Sequence, residues 1–221
     1  MRSMADRQPF LQRVRRALGR AEPLSQAPIP PAIDESVARL VQSDIGLREL
    51  FARRAAENAM VVTRVCVEDL AGELIGVLRQ AECRRVCLSA GPSLPRWNLF
   101  ESLSREGFDV HTWEQITLDE AYELDCGVTD VFCAVAETGS LVIRPDAGHG
   151  RAISLVPPLH VAIVEPSAVV GDLLDLFEKL WREACGQNVL IITGPSKTAD
   201  IEMNLVTGVH GPGAVRVFLL E

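Results

Sequence analysis

Apolar residues recur along this chain in two rhythms, and the rhythms predict its elements. Phe10, Leu11, Val14, Ala17 and Leu18 fall at helical spacing among Arg7, Arg13, Arg15, Arg16 and Arg20, which predicts a basic amphipathic helix over residues 6–20. Four prolines (23, 28, 30 and 31) follow within residues 22–31, the composition of an extended linker. Residues 1–31 therefore read as an arm and residues 32–221 as a single α/β domain. In that domain Val37, Leu40, Val41, Leu47, Leu50 and Phe51 suggest a helix broken near Gly46, and residues 60–65 suggest a strand. A helical stripe (Val67, Leu70, Ala71, Leu74, Val77, Leu78) precedes a buried strand at 85–89, a helix at 94–106 and a strand at 108–113. This alternation predicts a mainly parallel sheet with helices on its faces.

The rhythm then changes. Residues 129–136, 140–144, 152–156 and 160–164 read as four strands with no helix between them, so at least one antiparallel pair should interrupt the parallel order. Val169, Val170, Leu173, Leu174, Phe177, Leu180 and Trp181 give one helical face, residues 189–192 a strand, and residues 215–220 a closing strand.

Between those last two strands lies Thr193-Gly194-Pro195-Ser196-Lys197-Thr198-Ala199-Asp200-Ile201-Glu202, then Gly208-Val209-His210-Gly211-Pro212. A strand feeding a Gly-containing turn and then a helix would aim free N–H groups and a helix dipole at one point, which favours an anion. Lys197 would add charge, and Ser196 or Thr198 a donor. Plain capping is the alternative: Ser196 or Thr198 as N-cap, with Asp200 and Glu202 in the first turn. Capping leaves the lysine and the Gly-His-Gly turn unexplained. The spacing G-x-x-x-x-G-K-[ST] is absent, which argues against a nucleotide triphosphatase. Three polar turns, at 137–139, 194–200 and 210–212, are expected to leave strand carboxyl ends and converge, as ligand loops do in open α/β sheets.

Charge and cysteine usage narrow the function. Thirty acidic against 22 basic residues give a formal charge of −8, the reverse of a general nucleic-acid binder. No apolar run approaches the ~20 residues of a membrane span, and the N-terminus lacks the apolar core of a secretory signal, which makes cytoplasm the default compartment. The six cysteines contain no Cys-x-x-Cys pair, so neither a metal site nor an iron–sulfur cluster is expected in this chain; Cys87 and Cys133 read as small buried apolar residues.

Four segments in order carry a resemblance: Ala136-Glu137-Thr138-Gly139-Ser140-Leu141-Val142, Leu155-Val156-Pro157-Pro158-Leu159-His160-Val161-Ala162-Ile163-Val164, the stretch from Gly194 to Glu202, and Gly208-Val209-His210-Gly211-Pro212. Together they resemble the LUD domain of the lactate utilisation protein C family over about residues 34–221. The resemblance implies a three-layer α/β/α fold with a mostly parallel sheet, related to ribose-5-phosphate isomerase, glucosamine-6-phosphate deaminase and coenzyme A transferases. It implies a part in oxidising L-lactate to pyruvate beside two iron–sulfur partner proteins, A and B, which would hold the clusters.

On this reading the chain is a non-redox subunit that binds a small carboxylate or another anionic ligand. The ligand-binding candidates are Thr138, Gly139, Gly194, Pro195, Ser196, Lys197, Thr198, Asp200, His210 and Gly211. Glu137, His210 and Lys197 are the catalytic candidates, with His160 a second proton acceptor. Two alternatives stay open. One is an acyl-transferase or sugar-phosphate-isomerase enzyme in which Glu137 of Glu-Thr-Gly is a nucleophile; the other is a scaffold without catalysis. The reading admits self-association into a homo-oligomer.

Overall fold

A computed structural model describes residues 7–20, 34–35, 39, 46–89, 94–146, 150–183, 188–199, 205–208 and 210–221. The chain divides into two compact units, Met1–Glu35 and Ser36–Glu221. In the first, helix α1 (Arg7–Ala17) forms over the predicted stripe, buries no residue and exposes Phe10, Val14 and Leu18. The expected proline linker lies outside the described residues, as do Val37, Leu40 and Val41.

The second unit is built on six parallel strands: β1 (Val61–Val65), β2 (Arg85–Leu88), β3 (Asp109–Thr112), β4 (Cys126–Asp130), β7 (Leu159–Val164) and β12 (Ala214–Leu220), in the order β1-β12-β7-β4-β2-β3. Every residue of β7 is buried, as expected of a central strand covered on both faces, which is why its sequence is one apolar run. One face packs on helices α3 (Leu70–Gln80) and α4 (Leu99–Arg105), whose Leu70, Leu74, Leu78, Leu99 and Leu103 meet Val86, Val128, Val161 and Ile163. The opposite face receives helix α2 (Leu47–Glu57), through Leu50, Phe51 and Ala55, against Ala162, Val164, Val215 and Val217.

The expected antiparallel hairpin is β5 (Cys133–Val135) with β6 (Ser140–Ile143), widened by β8 (Val169–Val170) and β9 (Leu190–Ile192) into a mixed sheet of order β8-β5-β6-β9. Ala134, Ala136 and Leu141 turn toward the α2 core, while Cys133, Val135 and Val142 pack on Leu176 of helix α7 (Leu173–Arg182).

Four predicted elements take other forms. Residues 129–136 are not one strand, because the chain leaves the parallel sheet at Asp130 and enters the mixed sheet at Cys133. Residues 152–156 form not a strand but a helical turn, α6 (Ala152–Leu155), after the short helix α5 (Leu118–Ala121). The turn crosses Gly127 so closely that a Cβ there would lie 1.8 Å from the Ile153 carbonyl oxygen. Val169 and Val170 pair with Ala134 and Val135 instead of starting the helix, which begins after Asp172, whose carboxylate accepts the Asp175 N–H.

The fourth difference touches the predicted site. No helix follows Ser196: β10 (Lys197–Ala199) pairs antiparallel with β11 (Leu205–Thr207), Lys197 opposite Thr207. Hydrogen bonds across the ribbon replace helical ones over residues 197–199, so the expected helix N-terminus is not built there. Asp200, Ile201 and Glu202 lie outside the described residues.

Candidate functional site

The last turn of α2 is the hub on which the predicted polar turns gather. Asn58 ends the helix, and its Nδ2 donates to the Thr138 carbonyl at 2.8 Å. Its own carbonyl oxygen lies 2.3 Å from where a Cβ on Gly194 would stand. Gly139 adopts φ +66°, and a Cβ there would come within 2.4 Å of the Ala55 nitrogen and the Arg54 carbonyl carbon. Both glycines thus serve close backbone approach. Hydroxyls knit the two turns: Thr138 Oγ1 to Ser140 Oγ is 2.7 Å, and Ser140 Oγ to Thr193 Oγ1 is 2.8 Å. The third turn joins at Ser196, whose N–H donates to the Pro212 carbonyl (2.9 Å) and whose carbonyl accepts the Gly208 N–H (3.0 Å). A Cβ on Gly211 would sit 3.1 Å from Ser196 Cβ.

Convergence at this hub holds, but its position differs from the expectation for the 210–212 turn. That turn feeds the amino end of β12: the Gly213 and Ala214 N–H groups both bond the carbonyl of Pro158, just before β7 begins. The rule for ligand loops concerns segments leaving a parallel sheet; this one enters it. The 136–139 and 193–196 turns do leave strands, β5 and β9, but these belong to the mixed sheet.

The electrostatics of the loop change with the ribbon. With residues 197–199 in a strand, no helix dipole starts at Ser196 to aim at an anion, and the Ser196 N–H is spent on Pro212. What the turns offer is the hydroxyl chain, the exposed Lys197 and the exposed His210, while Pro195 is half-buried. Thr198 belongs to β10. Glu137 is half-buried and tied by its N–H to the Gly171 carbonyl at 2.9 Å. Among the described residues no hydrogen bond or ion pair joins Glu137, Lys197 and His210 to one another. His160 is fully buried with Nε2 2.9 Å from Thr129 Oγ1, a core pairing rather than a base facing solvent. No group of three or more His, Cys, Asp or Glu among the described residues could hold a metal ion.

Two polar constellations escaped sequence reasoning. Arg39 Nη1 binds Asp175 (2.6 Å) and the nearly buried Asp172 (3.2 Å), while the Gly171 N–H donates to Asp175 Oδ2 (3.1 Å). The Asp172-x-x-Asp175 spacing ahead of an apolar run is a readable cap, but the arginine lies 133 residues away. At the carboxyl ends of the parallel strands, buried Ser89 donates to Asp130 Oδ1 at 3.0 Å. It joins β2 to β4, between which the connections diverge: β2 leads outward to β3, and β4 toward β7 and β12. That is the topological switch point where open sheets form a crevice. Ion-paired Arg96 and Glu165 follow β2 and β7 on the same edge.

A cavity of about 410 Å³ lies against Gly46, Arg48, Arg64, Pro166 and Leu220, and another of about 450 Å³ against Cys83, Asp125, Pro158 and Arg216. Neither is lined by the predicted turn residues.

A family model described as the LUD domain matches residues 48–220. The chain is 30% identical over 238 residues to lactate utilization protein C of Bacillus pumilus, covering 99% of this chain and 98% of that protein. Identity to lactate utilization protein C of Halalkalibacterium halodurans is 29% over 215 residues, covering 93% and 94%. Among solved structures, a DUF162 family protein from Deinococcus radiodurans superposes with a TM-score of 0.62 at 25% identity, over 82% of this chain and all of that one.

Proposed function

The chain belongs to the LUD domain family, with relatives named lactate utilization protein C, and from that premise we propose that it is a non-redox subunit of an L-lactate utilisation system. In this reading the iron–sulfur clusters sit in two partner proteins, A and B, which take up the electron pair released as L-lactate becomes pyruvate. This chain contributes recognition of a carboxylate and assembly. The observation that carries the proposal is the two-way coverage of the match to the Bacillus pumilus protein, 99% of this chain and 98% of that one.

The carboxylate is assigned to the hub at the end of α2. Its support is local: Thr138, Ser140 and Thr193 place three hydroxyls in a chain, and exposed Lys197 opens β10 just after the same turn. A lysine ammonium and hydroxyl donors bind a carboxylate by charge-assisted hydrogen bonds without a helix dipole. Gly139, Gly194 and Gly211 hold the turns together, and His210 places an exposed imidazole on the third turn.

Assembly is checked by size-exclusion chromatography of the full chain mixed with both partner proteins. The expected result is one co-eluting species containing all three; independent elution of this chain at micromolar concentration contradicts the subunit role.

A further inference from the structure

Helix α7 carries more apolar surface than the mixed sheet covers. At about 100° per residue, Leu176, Leu180 and Leu173 fall on one side, where they pack with Cys133, Val135 and Val142. Phe177, Trp181 and Leu174 continue the apolar arc round the helix, away from the sheet. Leu176 is fully buried, whereas Phe177 is 56% and Trp181 88% exposed. The two aromatic residues are one turn apart, so their rings are neighbours on the helix surface. Exposed Ile191 adds to the patch from edge strand β9: it stands opposite Val142, and so on the sheet face that α7 covers. A tryptophan with most of its surface in water is the residue type that most often anchors a protein interface.

The charges along the stripe say what covers it. Residues 173–182 hold two acids and two bases, a balanced helix in a chain of formal charge −8. A strongly basic or acidic partner finds no field here to steer it, while a second, equally acidic copy meets no repulsion. Glu178 and Arg182 border the aromatic pair and are ion-paired with each other. The acid precedes the base, so the pattern is complementary to itself when two such helices run antiparallel.

We infer that α7 is the contact face of a homodimer, in which two copies pack α7 against α7, antiparallel, across a two-fold axis. An axis midway between Phe177 and Trp181 sets each Phe177 against the partner's Trp181. It also brings each Glu178 within about 3 Å, along the helix axis, of the level of the partner's Arg182. The contact is isologous and closes on itself, as a two-fold interface must. The aromatic rings supply the affinity, and the exposed ion pairs at the rim fix direction more than strength. Phe177 and Trp181 together expose roughly 300 Å² per copy, short of the ~800 Å² per partner of a standard interface. The dimer therefore dissociates at micromolar concentration and is not obligate. This surface is separate from the lactate reading, and its failure would leave that reading untouched.

The test is analytical ultracentrifugation of the full chain over a series from micromolar to several hundred micromolar. The expected result is a mass rising from one chain to two. Trp181→Ser should keep the helix content and raise the dissociation constant at least tenfold; Phe177→Ser supplies a second reading should that variant fold poorly. Glu178→Arg and Arg182→Glu should each self-associate more weakly than the wild type, because like charges then face each other across the axis. Mixed in equal amounts at low salt, these two variants should form a heterodimer by native mass spectrometry, since one brings two arginines and the other two glutamates. A one-chain mass throughout the series overturns the inference, as does an unchanged dissociation constant for folded Trp181→Ser. So does a mixture that forms no heterodimer while the wild type dimerises. A chain that is monomeric alone, yet loses co-elution with the iron–sulfur proteins on Trp181→Ser, would assign the face to those proteins and end the homodimer.

Discussion

Replacing Gly139 by alanine is expected to lower the stability of the second unit by roughly 2–5 kcal/mol, the sum of a left-handed backbone for an L-residue and an overpacked contact. The residue has φ +66°, and the new methyl would point at the backbone of Arg54 and Ala55, 2.4 Å from its nearest atoms. Helix α2 cannot retreat cheaply, because Phe51 and Ala55 on the same helix are fully buried against the sheet. Thermal unfolding followed by circular dichroism should show a fall in Tm on the order of 10 °C. An unchanged Tm would mean that the turn does not seat on α2 as described. The effect also separates two meanings of Glu-Thr-Gly: the glycine has a packing reason to be there that involves no ligand.

Lys197→Ala should leave Tm within about 1–2 °C of the parent, since an exposed side chain contributes little to stability. In a system reconstituted with both iron–sulfur partners it should raise the KM for L-lactate tenfold or more. That magnitude follows from a charge-assisted hydrogen bond of about 1.5–3 kcal/mol, where ~1.4 kcal/mol is a factor of ten. The maximal rate should change less, because a group that holds the carboxylate equally in ground and transition states acts through binding. Lys197→Arg should recover part of the loss. A KM indistinguishable from the parent's removes Lys197 from carboxylate recognition.

Much of the fold was legible because central parallel strands are covered on both faces and must be apolar throughout. Residues 86–88, 159–164 and 217–220 carry that mark, whereas β1 at the sheet edge holds Thr63 and an exposed Arg64. Helices α3 and α7 were legible through their stripes, although Val169 and Val170, apolar at the same spacing, were captured by β5.

What sequence could not settle was decided by contacts distant along the chain. Ala152-Ile-Ser-Leu155 is too short for its periodicity to choose between strand and helix; the open surface of Gly127, 26 residues earlier by numbering, makes room for the helical turn. The loop after Thr193 bears hydroxyl and acidic residues in helix-start order, yet residues 197–199 pair with residues 205–207, which follow later in the chain, as an antiparallel ribbon. The same holds for the site. Its turns were marked by Gly, Thr and Ser, and those turns do meet, but their seat at Asn58 carried no local signal. Ser89 and Asp130 each end an apolar run with a polar residue, a sign visible in sequence whose meaning appears only when the strand order makes them neighbours.

The most direct measurement is lactate-dependent dye reduction by the two iron–sulfur partners, with and without this chain. If the chain is an obligatory subunit, omitting it drops the rate to the no-lactate background, and adding it back in equal molar amount restores turnover. A full rate from the two partners alone would contradict its place in the lactate-oxidising unit.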